Sequence, residues 1–539
     1  MSAERARILP VGDAALTVEL GRTLEPALNV RVRALDEAVR ARPFPGLLES
    51  VPTYASLLVV YDPARISFGD ARAALDDLLD LPAAAPRPGS RHVVPVRYGG
   101  RDGPDLPEVA RTCGLSERDV IKRHAAAEYT ALFVGFLPGF AYLGTVAPEL
   151  QTARRAAPRP RVPAGSVALA GRLTGVYPFT SPGGWNLIGR TERVLFDPFA
   201  DAPALIQAGD RVRFLASDLA VDADMPRTQP FPASVPTIEV VDGGLLTTVQ
   251  DGGRRGHRRL GVPWCGFLDP EAARAANRAA GNAEDAALLE GTALGPTLRF
   301  LTTTRFALAG ADLGAILERA DLGPWPVPLG RAVVARTGNV LTMRERRAGL
   351  RAYVALAGGV TVPEVLGSRA TDLVAGFGGY DGRALAAGDH LSLGRATAGA
   401  EVPDLTLASP PSPTVVVRVV AGPQDDMFTD EARARLGSET YEVDPLSDRI
   451  GCRLVGPTLA HRAAGEILTD GMVPGCIQVP PSGQPIVMLG DGPTTGGYPK
   501  IATVVSADVG RLGQLTAGDR IRFRVVTVED AQRRPARAE

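Results

Sequence analysis

One pattern of short strand and glycine turn occurs three times in the same order, and it restricts the fold more than any other feature of the chain. Val167-Ala-Leu-Ala-Gly171 is followed by Gly183-Gly184-Trp185 and then by Gly209-Asp-Arg-Val-Arg-Phe214. The second copy reads Val354-Ala-Leu-Ala-Gly358, Gly378-Gly379-Tyr380 and Gly388-Asp-His-Leu-Ser-Leu393. The third reads Val487-Met-Leu-Gly-Asp491, Gly496-Gly497-Tyr498 and Gly518-Asp-Arg-Ile-Arg-Phe523. The second and third copies also share Gly295-Pro-Thr-Leu298 and Gly456-Pro-Thr-Leu459. An order kept through three copies marks a repeated structural unit. V-x-L before glycine is the pattern of a buried strand ending in a turn, and G-D-x-V-x-F alternates like a strand opened by a tight turn. Many short strands with Gly/Pro turns predict closed β-barrels, which leave no unpaired sheet edge.

A length of 539 residues suits three or four domains. Pro-rich and small-residue stretches at 82–90, 222–236 and 398–413 read as linkers. They divide the chain into 1–85, 86–222, 237–398 and 414–530. The first piece mixes strands at Ala15–Glu19 and Ser56–Tyr61 with helical runs near 27–41 and 70–79, a small α/β domain. Two later helices carry start signals: Ser116 with Asp119 resembles a capping box, and Asp269-Pro270-Glu271 combines a cap, an N1 proline and an acid before a helix that Gly281 ends. The expected fold is mainly β with an α/β N-terminal part: a small α/β domain followed by three β-barrels.

Composition narrows the function classes. Lys+Arg 59 against Asp+Glu 60 lacks the basic excess of a nucleic-acid binder. The opening residues lack a signal-peptide core and no run approaches the ~18 apolar residues of a membrane span, so a cytoplasmic protein is expected. Cys113, Cys265, Cys452 and Cys476 are far apart, which suits free thiols in a reducing compartment. No GxxxxGK[ST] loop is present, and neither lysine has the Met-Lys-Met setting of a biotin carrier, so no covalently attached biotin is expected.

Only two lysines occur, Lys122 and Lys500, so 57 of the 59 basic residues are arginine. A lysine kept in that background can mark a position where a compact charge is needed and the wide guanidinium fork does not serve. Lys122 falls in a charged helical stretch and reads as surface; Lys500 follows a glycine-rich loop and reads as functional. Two of the aromatic-tipped glycine turns, Ser181-Pro-Gly-Gly-Trp185 running on to Arg190, and Asp491-Gly-Pro-Thr-Thr-Gly-Gly-Tyr-Pro-Lys500, combine glycines, hydroxyls and a cation, and read either as anion sites lined by outward backbone N–H groups or as tight barrel corners with a surface cation. The arginine run 154–161, ending in Arg161 before Ser166, reads either as a phosphate or carboxylate clamp or as a solvated face. Gln250-Asp251-Gly-Gly offers a carboxylate that acts as base, Mg²⁺ ligand or structural turn. No histidine pair has metal-ligand spacing.

Longer motifs resemble two known families. Gly135-Phe-Leu-Pro-Gly-Phe-Ala-Tyr-Leu-Gly144, Arg161-Val-Pro-Ala-Gly-Ser166, Thr174-Gly-Val-Tyr-Pro178, Ser181-Pro-Gly-Gly-Trp185 and Ile188-Gly-Arg-Thr191 resemble the allophanate hydrolase subunit 1 (KipI-like) family. Gly244-Leu-Leu-Thr-Thr-Val-Gln-Asp-Gly-Gly253, Leu260-Gly-Val-Pro263, Ala276-Asn-Arg278 and Thr494-Thr-Gly-Gly-Tyr-Pro499 resemble the allophanate hydrolase subunit 2 (KipA-like) family. The resemblance implies cyclophilin-like barrels and a fusion of the B and C components of an ATP-dependent 5-oxoprolinase, which opens 5-oxoproline to L-glutamate beside a separate LamB/YcsF-type A component. It implies ATP and Mg²⁺ as co-substrate and cofactor, and leaves self-assembly open. Two further readings belong to the same resemblance: biotin-dependent carboxyl transfer to urea or another small amide, and a KipI/KipA-like regulator of a histidine kinase. The sequence departs from the pattern at Ala141, at Trp264–Leu268 and at Gly492-Pro493.

On the oxoprolinase reading, Arg161, Arg190 and Lys500 are expected to neutralise phosphate or carboxylate charge, with Asp491 as base or Mg²⁺ ligand. Tyr177, Trp185 and Tyr498 are expected to wall the pocket. Ser166, Ser181, Gly183, Gly184, Gln250, Asp251, Thr494, Thr495, Gly496 and Gly497 complete the expected substrate and ATP contacts. Lys500→Ala is expected to abolish turnover without unfolding.

Overall fold

The computed structural model describes residues 6–80, 86, 89–217, 235–396, 414–463 and 465–533. Most of the three expected linkers lies outside these residues.

The N-terminal unit is the expected small α/β domain. Strands Arg7–Pro10, Ala15–Glu19, Ser56–Tyr61 and Leu47–Pro52 lie side by side in that order, all antiparallel. Helices Pro26–Ala41 and Phe68–Leu79 bury Val32, Leu35, Val39, Ala71 and Leu75 against the sheet. Both predicted caps form. Ser116 Oγ accepts from Asp119 N at 3.1 Å before helix Glu117–Ala126, and Asp269 accepts from Ala272 N at 3.1 Å before helix Pro270–Ala280. Gly281, at φ 79°, ends that helix in the left-handed region that glycine enters without strain.

The first and third repeat copies are closed seven-stranded barrels. In each, the G-D-x-V/I-x-F strand is the closing element and runs parallel to the barrel's first strand. Arg211–Ala216 lies on Arg91–Tyr98, from Arg211↔Arg91 to Ala216↔Val96, and Arg520–Val525 lies on Thr414–Ala421, from Arg520↔Thr414 to Val525↔Val419. Alternation turns Val212 and Phe214, and Ile521 and Phe523, into the two cores.

The middle copy keeps the strands and loses the closure. Its last strand, His390–Leu393, pairs antiparallel with Ile238–Asp242 (Ile238↔Leu391), so the block forms sheets of seven and five strands. One shared core, with Phe300 and Leu341 from the first sheet and Phe306 and Val354 from the second, lies between them.

No helix among the described residues is long and apolar enough to cross a membrane. Cys265, Cys452 and Cys476 are buried, Cys113 is half-buried, and all four are free.

Candidate functional site

The third glycine turn lies where units distant in sequence meet. Thr495–Gly496 pairs antiparallel with Asp470–Gly471, placing Asp470 opposite Gly496. Lys500 stands at the head of strand Lys500–Val504, fully buried, with Nζ 2.6 Å from Asp470 Oδ2. Asp470 also accepts from Gly471 N at 2.8 Å, from Gln424 Nε2 at 3.0 Å, and from Ser56 Oγ of the N-terminal unit. Ser56 Oγ is in turn 2.6 Å from Thr53 Oγ1. Burial alone would raise the Asp470 carboxyl, but the Lys500 charge and the hydrogen bonds from Lys500, Ser56 and Gln424 outweigh it and hold the group below the usual carboxylate range.

Asp470, Ser56 and Gln424 line a cavity of about 430 Å³ whose other walls include Glu19, Arg22 and Leu468. Arg22 reaches Glu19 at 3.1 Å and Asp426 at 2.9 Å, joining the N-terminal unit to the third barrel beside that cavity. Gly497 O accepts from Ile467 N, another lining residue, at 2.9 Å. A Cβ on Gly496 would stand 2.2 Å from Gln478 Nε2 and 2.8 Å from the Met472 thioether, so any larger residue there requires those two side chains to shift. Thr494 Oγ1 is buried without a partner, and Tyr498 is half-buried, its carbonyl 3.5 Å from Gln478 Nε2.

Thr495 joins this turn to the first barrel by accepting from Phe136 N at 3.1 Å. Behind Phe136 stands an aromatic cluster in which Phe140 meets Tyr177 at 5.1 Å and Trp185 at 5.5 Å, both edge-on. Gly183 lies against Tyr177, where a Cβ would come within 2.4 Å of Oη, whereas Gly184 has room. Burial pushes the Tyr177 hydroxyl up to about 12 against the opposing backbone hydrogen bond from Trp185, so it is a neutral wall. Ala55, Val374 and Leu468 pack on the same cluster, so all four units meet there.

The remaining expected residues are held elsewhere. Arg161 is exposed on the two-stranded ribbon of Arg159–Val162 and Ser181–Gly183. Its neighbours Arg155 (3.0 Å) and Arg159 (2.7 and 2.9 Å) hold Asp105, so two of the four arginines clamp a carboxylate of their own barrel. Ser181 is buried, with Oγ 3.2 Å from Pro182 O. Ser166 is buried opposite Arg190, which is exposed with Nε on Ala164 O at 3.1 Å and lines a second cavity of about 910 Å³. Gln250 is buried and donates to Thr248 Oγ1 at 3.0 Å. Asp251 closes a turn, accepting from Ser368 Oγ at 2.6 Å and from the backbone N–H groups of Gly253 and Arg369.

Asp491 takes two hydrogen bonds from Arg449, each 2.9 Å, and Arg449 also pairs with Glu290 of the middle block. Both carboxylate oxygens are thereby engaged, and a metal ion or a proton shuttle at Asp491 would have to break a buried pair. No group of three or more His, Cys, Asp or Glu placed to hold a metal occurs among the described residues. Mg²⁺ bound with a nucleotide needs only one or two protein carboxylates beside the phosphates.

Sequence reasoning missed Asp470, Ser56 and Gln424, which carry no motif of their own, and Asp372. Asp372 is fully buried, with Oδ2 unpartnered. Burial and the Asp491 charge push its carboxyl up to about 6 against the Ala375 and Val374 N–H groups and Arg254. Burial also bears on one expectation: Lys500→Ala would leave the Asp470 carboxylate buried without its counter-charge, held only by Ser56, Gln424 and Gly471 N, so the substitution is expected to cost stability, against the expectation that it spares the fold.

Comparison with known proteins fits this layout. The family model described as carboxyltransferase domain, subdomain C and D, matches residues 6–206, and that of subdomain A and B matches 260–525. The C component of 5-oxoprolinase from Escherichia coli K12 is 37% identical over 54% of this chain and 93% of its own length. The B component from Escherichia coli O157:H7 is 43% identical over 39% of this chain and 96% of its own length. Urea amidolyase of Lachancea kluyveri is 33% identical, but the match spans 17% of that protein. The crystal structure of TTHA0988 superposes with a TM-score of 0.83 at 38% identity, covering 94% of this chain and 99% of that one. The chain belongs to the carboxyltransferase-domain family that includes the B and C components of 5-oxoprolinase, with the regions of both joined in one polypeptide.

Proposed function

We propose that the chain is the B/C component of an ATP-dependent 5-oxoprolinase that opens 5-oxoproline to L-glutamate together with a LamB/YcsF-type A component. The observation that carries this reading is the 430 Å³ cavity, which neither half builds alone. Its Ser56 and Arg22 come from the half that matches the B component, and its Gln424 and Asp470 from the half that matches the C component. Ser56 Oγ and Gln424 Nε2 each donate a hydrogen bond to Asp470, and Gln424 Oε1 accepts from Lys500 N. That leaves a hydroxyl lone pair for a lactam N–H and the second amide N–H for its carbonyl, while Arg22 would share its guanidinium between Glu19, Asp426 and the substrate carboxylate. Asp470 is filled from inside the protein, so it and Lys500 act as positioning residues that fix Ser56 and Gln424.

In the reaction, the γ-phosphoryl group passes to the lactam carbonyl oxygen with release of ADP. Water then adds at that carbon and the ring C–N bond breaks, giving γ-glutamyl phosphate. A second water hydrolyses this to glutamate and phosphate, a step completed with the LamB/YcsF-type partner.

The test is glutamate release from 5-oxoproline and Mg-ATP, with and without the purified partner. Release that requires both proteins is the expected result. No release under any condition would overturn the reading and favour carboxyl transfer, which the carboxyltransferase family models support. Urea with a carboxylated biotin carrier would then be the next substrates.

A further inference from the structure

The 910 Å³ cavity is lined by the first barrel and the middle block together, and one of its walls is aromatic. Phe179 and Phe199 of the first barrel stand on that wall half-buried, so part of each ring is left for a ligand. Phe196 is buried beside them, with its ring 6.1 Å from that of Phe179 and 5.9 Å from that of Phe377 in the middle block. The four rings belong to one apolar cluster that also holds Val365 and Ala375, so packing across two units fixes the wall.

Most polar groups around the cavity are already taken. In the glycine loop, Gly376 N, Gly379 N and Gly382 N donate to Asp372 O, Arg369 O and Gly378 O at 2.9, 3.1 and 2.7 Å, which closes those amides to a ligand. Arg254, 4.8 Å from the Phe377 ring, faces the buried Asp372 carboxylate. Of the charged residues on the lining, Glu192 is held by Arg97 at 2.7 Å, Arg193 is engaged, and Asp381 stands on an exposed turn. Arg190 differs from all of these. It is exposed, its Nε is anchored on Ala164 O at 3.1 Å, and neither terminal nitrogen has a hydrogen-bond partner among the described residues. A guanidinium held at Nε and open at both ends of its fork is set to take a carboxylate by two parallel hydrogen bonds.

We infer that this cavity binds an aromatic carboxylate, with a rigid ring against Phe179 and Phe199 and a single carboxylate group on the fork of Arg190. One open cation suits a monoanion and not a polyanion, and a ring that meets phenylalanines edge-on or offset gains more than the area it buries. A rigid ring system also costs less ordering entropy on binding than a flexible alkyl chain. The volume lies in the range of ligand cavities, ~300–1,000 Å³. Because two units line the cavity, a ligand held there ties the first barrel to the middle block and stabilises the folded chain by mass action. The site is separate from the small cavity and independent of the lactam reaction: Tyr177 and Val374 pack on the aromatic cluster between the two, while their chain neighbours Pro178, Phe179 and Ala375 line the larger one.

The experiment is fluorescence titration of the full chain with pyrenebutyrate and with its uncharged analogue pyrenebutanol, and with decanoate as an aliphatic competitor. Saturable one-to-one binding of pyrenebutyrate, with a rise in melting temperature, is the expected result. Arg190→Leu, at an exposed position, is expected to weaken pyrenebutyrate at least tenfold and to leave pyrenebutanol within twofold. Phe179→Ser is expected to weaken both probes about fivefold, and Phe199→Ser makes the same test should Phe179→Ser fail to fold. Ser56→Ala, in the small cavity, is expected to leave both within twofold. Decanoate is expected to bind at least tenfold more weakly than pyrenebutyrate. Absence of saturable binding by the wild type, unaltered pyrenebutyrate affinity in Arg190→Leu, equal loss of both probes in that variant, or loss of binding in Ser56→Ala with an unchanged melting temperature would each overturn the assignment. Decanoate binding as tight as that of pyrenebutyrate would overturn the aromatic class of the ligand.

Discussion

Lys500 illustrates how burial redefines a residue. Its rarity in an arginine-rich chain marks it, but its work is to hold a carboxylate that sequence inspection does not single out. A guanidinium in its place would need room for a wide fork in a site with no exposure. Lys500→Met is expected to cost about 3–5 kcal/mol of unfolding free energy, because it removes the counter-charge of buried Asp470 and leaves only neutral donors to hold it. Adding Asp470→Asn should recover part of that loss while glutamate release stays absent, a non-additivity read by urea denaturation of the single and double variants. Equal stability of Lys500→Met and wild type would refute the pairing. Asp372 gives the opposite case. Its folded pKa, about 6, lies above the unfolded carboxylate value of ~3.9, so the wild type carries a penalty that is absent below pH ~4 and complete above pH ~6. Asp372→Asn should therefore gain stability relative to wild type between pH 4 and 7, by up to about 1–3 kcal/mol. A pH-independent difference in urea midpoints would contradict the raised pKa.

At the scale of elements, the closing strand decides between barrel and open block. The same G-D-x-Ω-x-Ω register (Ω, a large apolar residue) lies parallel to the first strand in copies one and three and antiparallel to it in copy two. Strand identity was legible in the alternation; strand direction was not, because a period of two is the same read either way. The turn 135–140 is the element that joins the halves. A Cβ on Gly135 would stand 2.3 Å from Thr495 Oγ1, across 360 positions of chain. Gly135→Ala should destabilise the protein by about 1–3 kcal/mol through overpacking. Thr495→Gly in that background should restore part of the loss, and thermal unfolding of the pair checks it. The arginine run shows the complementary limit: its spacing suits an anion, and two of its members found one in Asp105.

On the scale of the whole molecule, the four units are tied by contacts that no local pattern announces. Glu49 of the N-terminal unit accepts from Trp264 Nε1 at 2.5 Å, and Asp13 from Ser506 N at 2.7 Å. Gly139 N donates to Leu260 O, and Cys265 N to Gly490 O. A chain cut within 222–236 and expressed as two polypeptides should therefore reassemble as a 1:1 complex, measured by size exclusion with light scattering. Its glutamate release should fall on dilution as the joined chain's does not, since the covalent link sets the effective concentration of the halves. Separate elution would refute the shared cavity. The sequence alone determined the repeat, the strands and their turns, the α/β start, two helix caps and the family resemblance, all of which rest on neighbours within a few residues. The tertiary structure alone decided that Lys500 meets Asp470 and Ser56, that Asp491 is locked by Arg449, and that Arg190 faces a different cavity from the third turn. Those pairings join residues up to 414 positions apart, and what selects them is which buried charge finds a partner when four folded units close on one another, a property of the assembled interior that no window of sequence contains.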